Sequence, residues 1–139
     1  MKRIFLDTNI VLDLIDRQRR GHQDALVLEQ TLESHRCKIL CAWHSLSVIE
    51  YIGTKTFGLK ETHELLRQIL VSFIIPKTGT EEALQAFRYL DRDYEDALQI
   101  SAAIAGAAHT IITNDRTGFT KSPIPVMTPS EFVTRHRQD

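Results

Sequence analysis

The chain has 139 residues, 42% of them hydrophobic and 25% charged, and its 17 Lys and Arg against 18 Asp and Glu leave a formal net charge of −1. That length and mixture suit one globular domain with a core large enough to need no disulfide or structural metal, and they exclude a disordered or low-complexity chain. The near-neutral balance also excludes a protein that grips nucleic acid by overall charge; the local basic groups at Arg17, Arg19 and Arg20 and around Lys55, Lys60 and Arg67 read, as pattern alone, as solvated helix ends.

In chain order, short apolar strands alternate with helical periods, which predicts an α/β domain over residues 1–139 with a mainly parallel sheet of four to five strands. Residues 4–6 form the first strand. Asp7 cuts this run off, so it is too short for the core of a signal peptide, and no run approaches the roughly 20 apolar residues of a membrane-spanning helix. The expected location is therefore the cytoplasm, with no membrane partner. A helix over 10–16 follows, and Ala25, Leu26, Leu28 and Leu32 near helical spacing place a second over 23–35.

A strand at 38–41 comes next and separates Cys37 from Cys41. His35 and His44 flank the pair, yet an extended strand at roughly 3.3 Å per residue would hold the sulfurs about 13 Å apart. One zinc ion cannot span that distance, so two reduced, partly buried thiols are expected. The segment HSLSVIEYIGTKTFG is a helix that Gly53 or Gly58 ends, KETHELLRQILVSF is another, and 73–75 is a strand before Pro76. Helices over 81–91 and 94–108 are broken near DRD. The second of them carries Ala, Ile, Leu and Gly on nearly every side, so it lies against the sheet or against a partner chain. TIIT (110–113) is a buried strand, NDRTGFTKSP a polar loop and IPVM a last short strand. In TPSE, Thr128 caps, Pro129 takes the first helical position and Glu131 closes a capping box, starting a helix from 129 to about 137.

Four acids fall at comparable seams of this pattern. Asp7 ends the first strand, Asp115 follows TIIT by two residues, Glu50 lies early in the helix after the second strand, and Asp96 sits in the first turn of the Ala-rich helix. Ligands of open α/β sheets bind beyond the carboxyl ends of the strands, and helices that follow parallel strands begin at that same edge, so the four carboxylates can converge. Each also has a plainer explanation. Asp7 can be an N-cap, Ser47-x-x-Glu50 a capping box, Asp93-x-x-Asp96 a capped start and Asp115 a turn residue. Caps alone do not require acids at strand ends and helix starts together. Clustered carboxylates repel unless cations neutralise them, and oxygen-only ligands select Mg²⁺ or Mn²⁺, the ions that assist phosphodiester hydrolysis. The chain has no Walker loop, GxSxG, HExxH or GxGxxG.

The blocks IFLDTNIVLDLI, SVIEYI, DYEDALQISAAIAGAAHTIITND and SPIPVMTPSEF, in that order from residue 3 to about 133, resemble those of a PIN-domain protein of the VapC-like toxin kind. The resemblance implies a three-layer α/β/α PIN-like fold and an endoribonuclease dependent on Mg²⁺ or Mn²⁺. Asp7, Glu50, Asp96 and Asp115 would be its catalytic, metal-binding acids. Thr8 and Asn9 would shape the turn and hydrogen-bond the acids, Thr113 would be the small hydroxyl residue at its strand end, and Asp93 is an extra acid beside the site. Arg116 and Lys121 would bind substrate at the rim. The resemblance further implies an RNA substrate, a homodimer and a small antitoxin that covers the acidic groove. The chain departs from many relatives in having Asn114 and Gly118 where they have Arg and Asp. Two other readings compete: a PIN-fold module that binds RNA or protein without catalysis, and phosphoryl transfer through an aspartyl-phosphate on Asp7. The second lacks another Asp two residues on and a clearly placed lysine after a late strand.

Overall fold

A parallel strand cannot be reached by a tight turn, so a chain of alternating strands and helices must cross over between strands. The computed structural model, which describes residues 1–137, shows this arrangement. Strands β1 (Arg3–Leu6), β2 (Lys38–Leu40), β3 (Thr110–Ile112) and β4 (Val126–Met127) form one all-parallel sheet in the order β2-β1-β3-β4. Helices α1 (Thr8–Ile15) and α2 (His22–Ser34) connect β1 to β2. Between β2 and β3 lie α3 (Ser45–Phe57), α4 (Leu59–Ser72), α5 (Thr80–Gln85) and α6 (Tyr94–Ala105), and α7 (Pro129–His136) follows β4.

Successive side chains of a strand point to opposite faces, which divides the core in two. Ile4 and Leu6 of β1 pack with Ile10 and Val11 of α1, Leu28 and Leu32 of α2, Ile49 of α3, Ile69 of α4 and Phe132 of α7. Phe5 points the other way, with Leu40, Ile111 and the α6 residues Ile100, Ala102 and Ala103. The result is the three-layer α/β/α arrangement expected. It also explains the apolar surround of α6, whose Ala97, Ile100 and Ala103 are wholly buried.

Several boundaries differ from expectation for local reasons. The first helix begins at Thr8, not residue 10, because Asp7 is extended (φ −56°, ψ 150°) and its carbonyl already accepts the Ile10 N–H at 2.9 Å. Residues 73–75 make only an isolated bridge, Leu40 with Ile74; Pro76, without an N–H, cannot extend it. The predicted helix over 81–91 is instead α5 followed by a 3-10 turn, Ala86–Tyr89. Gly58, at φ 85°, ends α3, while Gly53 lies inside that helix, where an added Cβ would stand 2.9 Å from Thr62 Cγ2 of α4. The capping box at Thr128 and Glu131 forms as read, with reciprocal bonds of 2.8 and 3.2 Å. Cys37 and Cys41 are free, and burial pushes the Cys41 thiol up to about 12. Among the described residues no helix is long and apolar enough to cross a membrane.

Candidate active site

From β1 the chain passes to β2 on one side, while β3 and β4 lie on the other, so the strand order reverses between β1 and β3. Helical connections there leave to opposite faces and open a crevice beyond the strand ends. Asp7 and Thr113, the residues directly after β1 and β3, stand at its floor, joined by the Asp7 N–H to Ile112 carbonyl bond of 2.9 Å. A polar cavity of about 420 Å³ opens above them, lined by Asp7, Asn9, Arg19, Arg92, Asp93, Glu95, Asp96, Thr113, Asn114, Asp115 and Phe119.

Asp7 is 6% exposed, and both carboxylate oxygens are held. Gln99 Nε2 donates to Oδ1 and Thr113 Oγ1 donates to Oδ2, each at 2.7 Å. Burial raises its pKa above the ordinary carboxylate value, the two donors offset part of that rise, and the Glu95 carboxylate adds to it. Gln99, wholly buried, also donates to Glu95 Oε2 at 2.8 Å and accepts the Thr8 N–H at 3.2 Å, while His44 Nε2 meets the same Glu95 oxygen at 2.8 Å. A line of contacts therefore runs from α3 through α6 to the end of β1.

Asp93 is the N-cap of α6, accepting the Asp96 N–H at 2.8 Å, so the capped start read from the sequence exists. Its consequence is to fix Asp96 in the first helical turn, facing the cavity. Asp96 is pushed up to about 7, chiefly by desolvation and then by the charges of Asp93, Asp7 and Glu95. Its carboxylate rests against Gly118, in space that any side chain would fill: an added Cβ would stand 2.0 Å from Asp96 Oδ2. Asp115 is exposed and lies below the ordinary carboxylate value because the Thr117 hydroxyl and backbone N–H donate to it at 2.7 and 3.0 Å. Arg92 Nη2 stands 3.3 Å from its other oxygen.

The structure thus brings Asp7, Asp96 and Asp115 to one cavity, with Asp93 and Thr113 beside them, and does not bring Glu50. Ser45, Ile49 and Gly53 form the buried stripe of α3, and Glu50, one residue and about 100° further round, points away from it. Its Oε2 meets His63 Nε2 of α4 at 2.8 Å, with 44% of its side chain exposed. No capping box forms there either, since Ser47 Oγ donates to the His44 carbonyl. Thr8 and Asn9 are helical rather than turn residues; the Asn9 backbone N–H helps to lower the Asp7 carboxyl, while the side chains go elsewhere, Thr8 Oγ1 to Ser45 Oγ at 2.6 Å and Asn9 Oδ1 to the Arg19 guanidinium at 3.3 Å. Arg116 and Lys121 do not line the cavity, and Arg116 pairs with Glu131 at 3.1 Å.

Sequence reasoning missed Glu95, Gln99, Asp13, Arg19 and Arg92. Asp13 of α1 is 3% exposed and is held by Arg19 Nε at 2.7 Å and Asn114 Nδ2 at 2.9 Å. For Gln99 a signal existed: it lies four residues after Glu95 and three after Asp96 in a mostly apolar helix, hence on their face. Nothing local distinguishes Arg19 from its neighbours Arg17 and Arg20. The donors around the cavity are oxygens, the preference of a hard cation such as Mg²⁺ or Mn²⁺, and the absence of a side chain at Gly118 is what lets the Asp96 carboxylate stand there. Among the described residues, no three His, Cys, Asp or Glu side chains are already set as ligands of an ion.

A family described as PIN domain matches residues 3–117. "Ribonuclease VapC1" of Aquifex aeolicus is 24% identical over 139 residues, covering 96% of this chain and 95% of that one. The chain is similar in fold to the crystal structure of VapBC-1 from nontypeable Haemophilus influenzae, at a TM-score of 0.71 and 9% identity over 92% of this chain and 98% of that one. It is likewise similar to VapBC2 of Rickettsia felis bound to a DNA fragment from its promoter, at 0.66 and 20% identity over 90% and 96%.

Proposed function

This chain belongs to the PIN-domain family, and from that membership and the cavity at the β1/β3 switch point we propose that it is a metal-dependent endoribonuclease, the toxin of a type II toxin–antitoxin pair. The observation that carries the reading is Asp7: a buried carboxylate with both oxygens held by Thr113 and Gln99, at the floor of a cavity that Asp96 and Asp115 also line. Partial burial first, and then the charges of Asp93, Asp7 and Glu95, raise Asp96 to about 7. A cation bound there would favour the ionised carboxylates.

Asp7, Asp96 and Asp115 would hold Mg²⁺ or Mn²⁺. When bound, such an ion polarises the phosphodiester and offsets the charge that builds on the attacking and leaving oxygens. Thr113 and Gln99 keep the Asp7 carboxylate at fixed orientation, so no reorganisation is needed when substrate arrives. Asp93 holds the start of α6 and through it Asp96. The relatives known as VapBC complexes support a small antitoxin as partner, and the same family reading supports a homodimer, a single domain over residues 1–139 and a cytoplasmic location.

The test is cleavage of total RNA by purified protein. Activity is expected with Mn²⁺ or Mg²⁺ and is expected to vanish with EDTA or in Asp7→Ala. Full activity in Asp7→Ala would refute the site. Absence of activity together with no Mn²⁺ binding in calorimetry near neutral pH would favour the non-catalytic binding module instead.

A further inference from the structure

A cavity lined by carboxylates repels a polyanion, and with a net charge of −1 the chain offers no general attraction to counter it. A divalent ion held by Asp7, Asp96 and Asp115 would offset that repulsion at the reacting phosphate, and protein cations at the cavity would hold the flanking phosphates. Two line it, Arg19 and Arg92. We propose that these two arginines form a two-sided clamp for the phosphates of single-stranded RNA, taking the role that Arg116 and Lys121 were expected to fill.

They come from different layers of the fold. Arg19 lies between α1 and α2, whose apolar residues pack on the Ile4 and Leu6 side of the sheet; Arg92 lies just before Asp93, the N-cap of α6, which packs on the Phe5 side. The clamp thus spans the crevice. Each guanidinium is buttressed yet partly free. Arg19 gives Nε to buried Asp13 at 2.7 Å and Nη2 to Asn9 at 3.3 Å, with 30% of its side chain exposed, and none of these bonds uses Nη1. Arg92 gives Nη1 to Thr117 Oγ1 at 2.7 Å and stands 3.3 Å from Asp115, with 58% exposed, so its Nε edge remains. A planar fork held this way loses little freedom on meeting a phosphate, which is the geometry arginine suits. The proposal rests on the nuclease reading for its ligand, and its test is a binding measurement in which nothing is cut.

Fluorescence anisotropy of a labelled uridine 12-mer, in EDTA and across 20 to 200 mM KCl, reads the number of phosphates neutralised. Each contact to a single strand contributes about 0.7 to the slope of log affinity against log salt. Arg92→Gln is expected to reduce that slope by about 0.7. Arg19 cannot be removed alone without leaving Asp13 buried and unpaired, so the paired change Asp13→Asn with Arg19→Gln is used; it should remove about 0.7 more. Lys60→Gln, on α4 away from the cavity, should leave the slope unchanged. Unaltered slopes in both clamp variants, with wild type binding the oligomer and cleaving RNA in Mn²⁺, would refute the clamp and leave the nuclease reading standing. Wild type that neither binds nor cleaves would defeat both.

Discussion

Asp96→Asn separates the electrostatic cost of the site from its use. In the metal-free protein, desolvation and the neighbouring acids raise Asp96 from 3.8 to about 7. At about 1.4 kcal/mol per tenfold step, such a difference would be worth about 4 kcal/mol for a group wholly shielded from water. Asp96 is only partly buried, and solvent screening brings the figure to roughly 1–2 kcal/mol. The sign follows from linkage. A carboxyl whose pKa is higher in the folded than in the unfolded state favours folding while protonated, and that advantage is lost as pH rises from about 4 through 7. Thermal unfolding in EDTA should therefore show Asp96→Asn and wild type melting together near pH 4. By pH 8 the variant should melt higher by roughly 2–6 °C. Mn²⁺ should raise the wild-type midpoint and reverse the order, because the ion binds only the folded state, while the variant loses RNA cleavage. Melting curves whose difference stays constant from pH 4 to 8 would refute a raised Asp96 carboxyl in the folded, metal-free site.

Other outcomes follow from where side chains lie. Glu50→Gln should retain RNA cleavage within about threefold, since its carboxylate meets His63 outside the cavity; loss of activity equal to that of Asp7→Ala in the same assay would return Glu50 to the site. Phe5→Ala, at a wholly buried position on the α6 side of the sheet, should cost about 3–5 kcal/mol in chemical denaturation. A cost under 1 kcal/mol would contradict the described core.

The elements that read clearly from the sequence are those whose signals are local. Thr128, Pro129 and Glu131 satisfy the same few backbone groups whatever surrounds them, so their capping box formed as written. Asp93 and Asp96 behaved likewise, and the N-cap that seemed a rival to function is what aims Asp96 into the cavity. Apart from Ser47, whose hydroxyl turns to the His44 carbonyl three residues back, the reading failed where the deciding partner lay in another element. The bridge at Ile74 stops because Pro76 follows it, a local limit, but whether it paired at all depended on Leu40.

By itself, then, the sequence determined the alternation of strands and helices and the placing of Asp7 and Thr113 at strand ends, because strand length, apolar runs and caps are short-range properties. Which acids meet was left to the tertiary structure. Glu50 turns toward His63 since packing of Ile49 and Gly53 sets the rotation of α3, and about 100° of helical phase carries its neighbour out of the site. Arg19, Arg92 and Gln99 enter for the same reason: Asp13, Asp115 and Asp7, six, 23 and 92 residues away, hold them there.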